Sequence, residues 1–302
     1  MEKMRRGNVE LIPGKNQGHY PYSNSIFIDE GPGIVIDPAS DEERLLALKK
    51  NPGIGIIINT HYHEDHFLYN HHFPEAELWV PERDAPAFES LETILDYCGI
   101  LGLPDEETWR SYYLDRFNYR ARKPERKLKG SEKLRFGKTR VEVIHAPGHT
   151  PGHSGFWFPD EKILFLADYD LTAFGPWYGD RVSSLEDTIA SIEKLRKIPA
   201  EVYWVSHGEE IPRAKVAERF EEYLRVITAR EEKLLTFLRA PHSLDEIVEQ
   251  WIIYRKEREP VYFFKFAEQA MVKKHLDNLL RRGLLRIDKN GGREEYIKIV
   301  KD

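Results

Sequence analysis

The stretch from Ile54 to His66 constrains this chain's architecture more than any other. Ile54-Gly55-Ile56-Ile57-Ile58 carries no charge, and so short an apolar run reads as a strand buried on both faces. Asn59 and Thr60 follow, and then His61, His63, Asp65 and His66 fall within six positions. Neutral imidazole and carboxylate are good ligands for a borderline divalent cation such as zinc, and one turn carrying four of them orders several donors with little extra entropy. The fold has to deliver the end of a buried strand to a polar, metal-competent rim, and the ends of strands are where functional loops concentrate.

One turn does not close two metal sites, so the remaining donors are sought at other strand ends. VELIP (9–13), SIFID (25–29) and GIVID (33–37) precede the turn, the last two joined by the hairpin signal Glu30-Gly31-Pro32. AELWV (76–80), RVEVIH (140–145), GFWF (155–158), KILFLAD (162–168) and EVYWVS (201–206) follow it. His149 lies in APGHTPGH after the strand ending at His145, Asp168 closes KILFLAD, and His207 follows EVYWVS. Each is a metal-compatible residue at the exit of a predicted strand.

Helices separate and follow these strands. Ser40 with Glu43, and Ser183 with Glu186, have the capping-box spacing that opens a helix. Leu185, Ile189, Ile192 and Leu195 then share one helical face. Two strand clusters with helices around them predict helix layers outside two packed sheets. Residues 84–140 interrupt the pattern with helical, aromatic and then basic sequence, and are expected to form a lid or wall beside the metal site. From Pro212 a long helix runs toward Leu238; Ser243 and Glu246 cap a second, a third ends at Gly283, and Asn290-Gly291 marks a hairpin turn. Helix, helix, helix, hairpin is the order of a winged helix, which divides the chain into 1–230 and 231–302.

Composition excludes some partners. The formal charge is −6, so the molecule as a whole does not attract nucleic acid or an anionic membrane. The single cysteine, Cys98, allows no internal disulfide and reads as a small buried hydrophobe. No apolar run reaches the roughly 18 residues of a membrane span, and no signal-peptide core follows the early arginines. A cytoplasmic protein is expected.

THYHEDH (60–66), PGHTPGH (147–153), Asp168 in FLADYD and His207 in VSHG together resemble the metallo-β-lactamase superfamily over roughly residues 8–230. The resemblance implies a four-layer αββα sandwich and two divalent metal ions, zinc first, with iron or manganese as alternatives. It implies His61, His63 and His149 on one ion, Asp65, His66 and His207 on the other, and Asp168 bridging them. A hydroxide shared by the two ions would then be the nucleophile, with Asp65 placed to orient it or take its proton. Asp37 and His153 read as residues that support ligands. The chain departs from the common pattern at Pro38 and Ala39, at Ala167 where many members have glycine, and at Ser206. The antibiotic-hydrolysing members usually lack the bridging aspartate, so Asp168 argues against a true β-lactamase.

Two features bear on substrate. Eleven lysines and arginines stand between Arg116 and Arg140 against only Glu125 and Glu132. Arg122, Lys123, Arg126 and Lys127 are the candidate contacts to an anionic substrate, an RNA backbone or a coenzyme A or glutathione conjugate. The C-terminal unit resembles the winged helix of the superfamily branch that holds thioesterases and an endoribonuclease. An acyl thioester or related ester is the first substrate class, single-stranded RNA the second. A mononuclear iron persulfide dioxygenase and a non-enzymatic winged-helix regulator stay open, as does a homodimer.

Overall fold

A computed structural model of the chain describes residues 4–290 and 292–299; Gly291 of the expected hairpin turn lies outside them. One sheet has seven strands that neighbour each other in chain order: β1 (Arg5–Arg6), β2 (Val9–Ile12), β3 (Ser25–Ile28), β4 (Gly33–Ile36), β5 (Ile54–Ile58), β6 (Glu77–Pro81) and β7 (Arg126–Leu128). The first four pair antiparallel, and β4 to β7 pair parallel. The second sheet has six, again in chain order: β8 (Lys133–Phe136), β9 (Thr139–His145), β10 (Ser154–Phe158), β11 (Ile163–Phe165), β12 (Val202–Trp204) and β13 (Ile211–Pro212), with β11 and β12 parallel.

Alternation along the strands sorts their side chains into layers. Ile26, Ile36 and Ile58 from the first sheet meet Val141, Phe156, Phe165 and Trp204 from the second in one core. Each such side chain, fully buried, contributes roughly 1.5–3 kcal/mol. On the far side of the first sheet, Phe27, Val35 and Ile57 pack with Leu45 and Leu48 of α1 (Glu42–Lys50). On the far side of the second, Leu164 and Tyr203 pack with residues of two later helices. The result is the αββα sandwich expected from the sequence.

Between β5 and β6 lies the single turn α2 (Glu64–Phe67), which carries Asp65 and His66. After β6 come α3 (Ala85–Glu89), α4 (Leu91–Cys98) and α5 (Glu106–Ser111). A π-helical turn over Tyr112–Arg116 ends the helical part of the interruption. Residues 126–140 are not part of a separate insertion, because they form β7 and β8 and begin β9, extending both sheets.

Two caps fall one residue later than expected. Asp41, not Ser40, caps α1, its Oδ1 accepting from Arg44 N at 2.8 Å. Ser184, not Ser183, caps α6 (Leu185–Leu195), accepting from Asp187 N at 3.1 Å. In both places two adjacent residues can cap, and the register of the helix selects the second.

The chain ends with α7 (Arg213–Phe237), α8 (Leu244–Val248), α9 (Val261–Arg281) and the hairpin β14 (Leu285–Asn290) with β15 (Arg293–Lys298). The expected capping box at Ser243 and Glu246 is present on α8. Leu234, Ile247, Met271 and Leu279 share a core with Tyr178 and Leu185, which precede α7. Arg230 of α7, almost fully buried, donates to the carbonyls of Phe174 and Pro176 and to the Tyr178 hydroxyl. Among the described residues no helix is long and apolar enough to cross a membrane.

Candidate metal centre

The same end of both sheets carries every candidate donor. Asp37 follows β4, the histidine turn follows β5, His149 lies between β9 and β10, Asp168 follows β11 and His207 follows β12. Parallel pairing of β4 with β5, and of β11 with β12, places those exits on one rim.

The ligand-type atoms converge in two groups, His61, His63, His149 and Asp168 in one and Asp65, His66 and His207 in the other, with all atoms of a group within 4.8 Å of each other. His61 Nε2 lies 3.1 Å from His63 Nδ1 and 3.2 Å from His149 Nε2. In the second group His207 Nε2 is 3.2 Å from Asp65 Oδ2. Asp168 stands between the groups: its Oδ2 is 3.3 Å from His149 Nε2, and its Oδ1 is 3.0 Å from His66 Nε2. His66 Nε2 and Asp168 Oδ1 are fully buried and make no aligned hydrogen bond. Unpartnered polar atoms in such a place are costly, and a shared cation relieves the cost.

The outward nitrogen of each ring is held. Thr60 Oγ1 is 2.9 Å from His61 Nδ1, and Asp180 Oδ2 is 2.8 Å from His63 Nε2. Asp37 Oδ2 is 2.9 Å from His66 Nδ1, while the carbonyls of Trp177 and Gly18 lie 2.9 Å and 2.6 Å from Nδ1 of His149 and His207. Such partners fix tautomer and ring orientation, so that the inward nitrogen presents its lone pair. Gly18 reaches its place with φ +72 and has Ser206 O only 3.0 Å from where a Cβ would stand. A side chain there would push the carbonyl off His207.

Burial sets the electrostatics. It pushes the His61 ring well below the ordinary histidine value. Burial also opposes protonation of His66 and His207, but Asp168 and its neighbouring carboxylates outweigh it and hold both rings well above that value. His63 is resisted by burial yet raised to about 9 by Asp180. Negative charge gathered in a buried pocket therefore calls for a positive partner, and the donor set of five imidazoles and two carboxylates suits a divalent ion.

Asp37 also accepts from Thr60 N and Thr60 Oγ1 at 2.7 and 2.8 Å, tying the histidine turn to β4. His153 points elsewhere: its Nδ1 is 3.0 Å from Ala146 O, and its Nε2 accepts from Asp168 N at 3.2 Å. Ala167 has φ +51, a left-handed conformation that costs a non-glycine residue about 1 kcal/mol or more, which gives a backbone reason for the glycine common at this position.

The four basic candidates are not brought to the cluster. Arg122 is bound by Glu125 and by the carbonyls of Phe73 and Ala76, Arg126 by Glu132 and the Trp79 ring, and Lys127 by Glu89. None of these, nor Lys123, lines the cavity above the metal-competent atoms. Local charge density was the signal, and it reflects carboxylates and carbonyls supplied from elsewhere in the fold. Sequence reading missed Asp180, which lies in a stretch of irregular structure, and Asp84, which accepts from Thr150 Oγ1 and Gly152 N at 2.6 Å and steadies the loop holding His149.

Comparison with known proteins places these features. The family model of the metallo-beta-lactamase superfamily matches residues 21–207. The chain is 30% identical over 169 residues to hydroxyacylglutathione hydrolase GloC of Haemophilus influenzae, covering 53% of this chain and 71% of that one. It is 28% identical to the hydroxyacylglutathione hydrolase of Methylococcus capsulatus, spanning 59% of each. In fold it is similar to a metallo-beta-lactamase family protein of Thermus thermophilus, with a TM-score of 0.73, 22% identity and coverage of 97% and 99% of the two chains. With the matched segment spanning most of the sandwich and the whole histidine and aspartate cluster, the chain belongs to the metallo-beta-lactamase superfamily, as a metal-dependent hydrolase.

Proposed function

We propose that this chain hydrolyses an acyl thioester or a related ester, using two divalent metal ions held by the seven converging residues. Zinc suits the imidazole and carboxylate donors best, with iron or manganese as substitutes. His61, His63 and His149 would hold one ion and Asp65, His66 and His207 the other, with Asp168 within reach of both groups. The observation that carries the reading is the placement of Asp168, whose carboxylate reaches both donor groups: Oδ2 is 3.3 Å from His149 Nε2 and 3.5 Å from His207 Nε2, and Oδ1 is 3.0 Å from His66 Nε2. The names of the hydroxyacylglutathione hydrolases to which the chain is similar support a thioester substrate.

When bound, such ions would supply Lewis-acid chemistry, making water a better nucleophile near neutral pH and an ester carbonyl a better electrophile. The protein's own groups do the remaining work. Asp37, Thr60, Asp180 and the carbonyls of Trp177 and Gly18 keep the imidazoles oriented. Asp65, mostly buried and lining the cavity, is positioned to orient the attacking water and accept its proton. His153 Nε2 accepts from the Asp168 backbone N–H and so holds that backbone. Residues 98–113 and the start of α9 wall the cavity. Residues 1–230 form the catalytic part and the remainder a winged-helix-like part; the boundary falls inside α7, and Tyr254 with the start of α9 closes one side of the cavity.

The test combines elemental analysis with a substrate screen. Metal-replete protein should carry two ions per chain and hydrolyse acyl thioesters, and a chelator should abolish turnover. One ion per chain together with oxygen uptake on a persulfide, or cleavage of single-stranded RNA with no thioester turnover, would replace the reading.

A further inference from the structure

The cavity that opens over the cluster has a volume of about 620 Å³, within the range of small-molecule sites. His63, Asp65, His149, Asp168 and His207 form its floor. Its walls come from three separate segments. Ile100, Trp109, Tyr112 and Tyr113 come from the helical stretch after β6, Phe174 and Trp177 from the segment after β11, and Tyr254, Tyr262, Phe263 and Phe266 from α9 and the loop before it. Tyr20 and Tyr262 both line the cavity and are 45% and 59% exposed, which puts them at its mouth.

Among the described residues no lysine or arginine lines this cavity, although the chain has 45 of them. Arg230 and Arg258 lie over the rings of Phe174 and Tyr254, at 5.0 and 5.7 Å, without themselves lining it. The other acidic or basic side chains that line it, the floor apart, are carboxylates: Glu64, Asp170, Asp180 and Glu259. Tyr20 donates to one of them, Glu64 Oε1, at 2.7 Å, so even the polar part of the mouth is acceptor-rich. An anion that enters such a space loses its hydration and meets no cation until it reaches the floor. An apolar group gains at every step, roughly four-fold in affinity per methylene removed from water. At about 30 Å³ per water-sized group, the cavity takes on the order of twenty non-hydrogen atoms.

We propose that this cavity selects an uncharged, apolar acyl group, a medium-length alkanoyl or aryl-alkanoyl chain, on a neutral leaving group, and disfavours the anionic carriers glutathione and coenzyme A. The proposal rests on the hydrolase reading above and deepens it. The acyl chain lies among the aromatic walls with its carbonyl at the floor; water adds to that carbonyl, the carbon–sulfur or carbon–oxygen bond breaks, and a carboxylic acid and a neutral thiol or alcohol leave.

The metal-loaded protein is assayed on acetyl and octanoyl thioesters of N-acetylcysteamine, glutathione and coenzyme A. On the neutral carrier kcat/KM should rise about 100-fold or more from acetyl to octanoyl. Octanoyl-glutathione should fall about ten-fold or more below octanoyl-N-acetylcysteamine. A change of less than about three-fold with acyl length, or a preference for the glutathione thioester, overturns the proposal. The hydrolase reading is separated by a second measurement: quenching of tryptophan fluorescence by inert acetamide and octanamide analogues of the same neutral carrier. Length-dependent binding with no thioester turned over would sink the hydrolase reading and leave the cavity selectivity standing. Turnover with no length dependence would do the reverse. Tyr262→Arg, at an exposed position, should narrow the gap between the neutral and glutathione thioesters; an unchanged ratio places the discrimination elsewhere and counts against this cavity.

Discussion

Asp180 Oδ2 lies 2.8 Å from His63 Nε2, the ring nitrogen that faces away from the other imidazoles. The same oxygen receives the Tyr62 hydroxyl. Asp180 N donates to Ser183 Oγ at 3.2 Å, and Ser183 Oγ donates to His149 O at 2.7 Å. A short stretch ahead of α6 thus braces two of the three imidazoles in the first donor group, and Trp177 O, three residues earlier, braces His149 again. Arg230 of α7 holds the carbonyls of Phe174 and Pro176 in that same stretch, so the C-terminal helices support the centre from outside.

Asp180→Ala should therefore weaken metal binding about 10- to 100-fold, the usual cost of losing a carboxylate behind a ligating histidine. Competition with a chromophoric chelator measures it, with circular dichroism to show that the fold persists. Unchanged affinity would mean that the ring of His63 is held by its packing alone.

Asp168→Ala removes the carboxylate shared between the donor groups. Metal content should fall from two per chain and hydrolysis should be lost, while His153, bonded to the backbones of Asp168 and Ala146, keeps its place. A stoichiometry fixed at one in wild-type, metal-replete protein would rule out the bridging assignment.

The donors were legible because their chemistry is written in residue type and spacing: H-x-H-x-D-H has few structural uses, and His149, Asp168 and His207 each follow an apolar run that marks a strand. The residues that orient them were not. Gly18, Thr60 and Trp177 act through a carbonyl or a hydroxyl that other residues could supply, and Asp180 is one carboxylate among 51 acidic residues. The cavity wall was half legible. Residues 84–140 were expected beside the metals, and Trp109 and Tyr113 stand there. The contribution of Tyr262, Phe263 and Phe266 depends on how α9 docks, a long-range packing that periodicity does not encode. The basic cluster lies away from the cavity and is largely ion-paired, which charge along a chain does not reveal because the fold brings the carboxylates to it.

Glu268 supplies a pH test away from the centre. Its side chain is fully buried on α9 and accepts from Ile253 N and Tyr254 N at 2.9 and 3.0 Å. Burial raises its carboxyl above the ordinary glutamate value, against the pull of those two donors and of Arg230. Between the unfolded and the folded value the folded state holds the extra proton, so stability falls as pH rises through that window and levels off above it. Glu268→Gln should flatten this part of the Tm-against-pH curve. A slope unchanged by the substitution would show that another group titrates.

The basic segment decides between substrate classes. Arg122, Arg126 and Lys127 already have carboxylate partners in Glu125, Glu132 and Glu89, and Arg126 also sits 4.4 Å from the centre of the Trp79 ring. Replacing Arg122, Lys123, Arg126 and Lys127 together with Ala should lower stability by about 1–3 kcal/mol, the sum expected for exposed pairs and one cation–π contact. Metal content should not change, because none of the four approaches the donor groups. With a small neutral thioester as substrate, turnover should not change either, and its dependence on salt should stay shallow in both proteins, because few counterions are released. If RNA were the substrate, the slope of log affinity on log salt would be steep and would fall by about 0.7 for each single-strand phosphate that the variant no longer neutralises. A steep slope that collapses in the quadruple variant, with both metal ions retained, would move the substrate from the aromatic cavity to the basic surface.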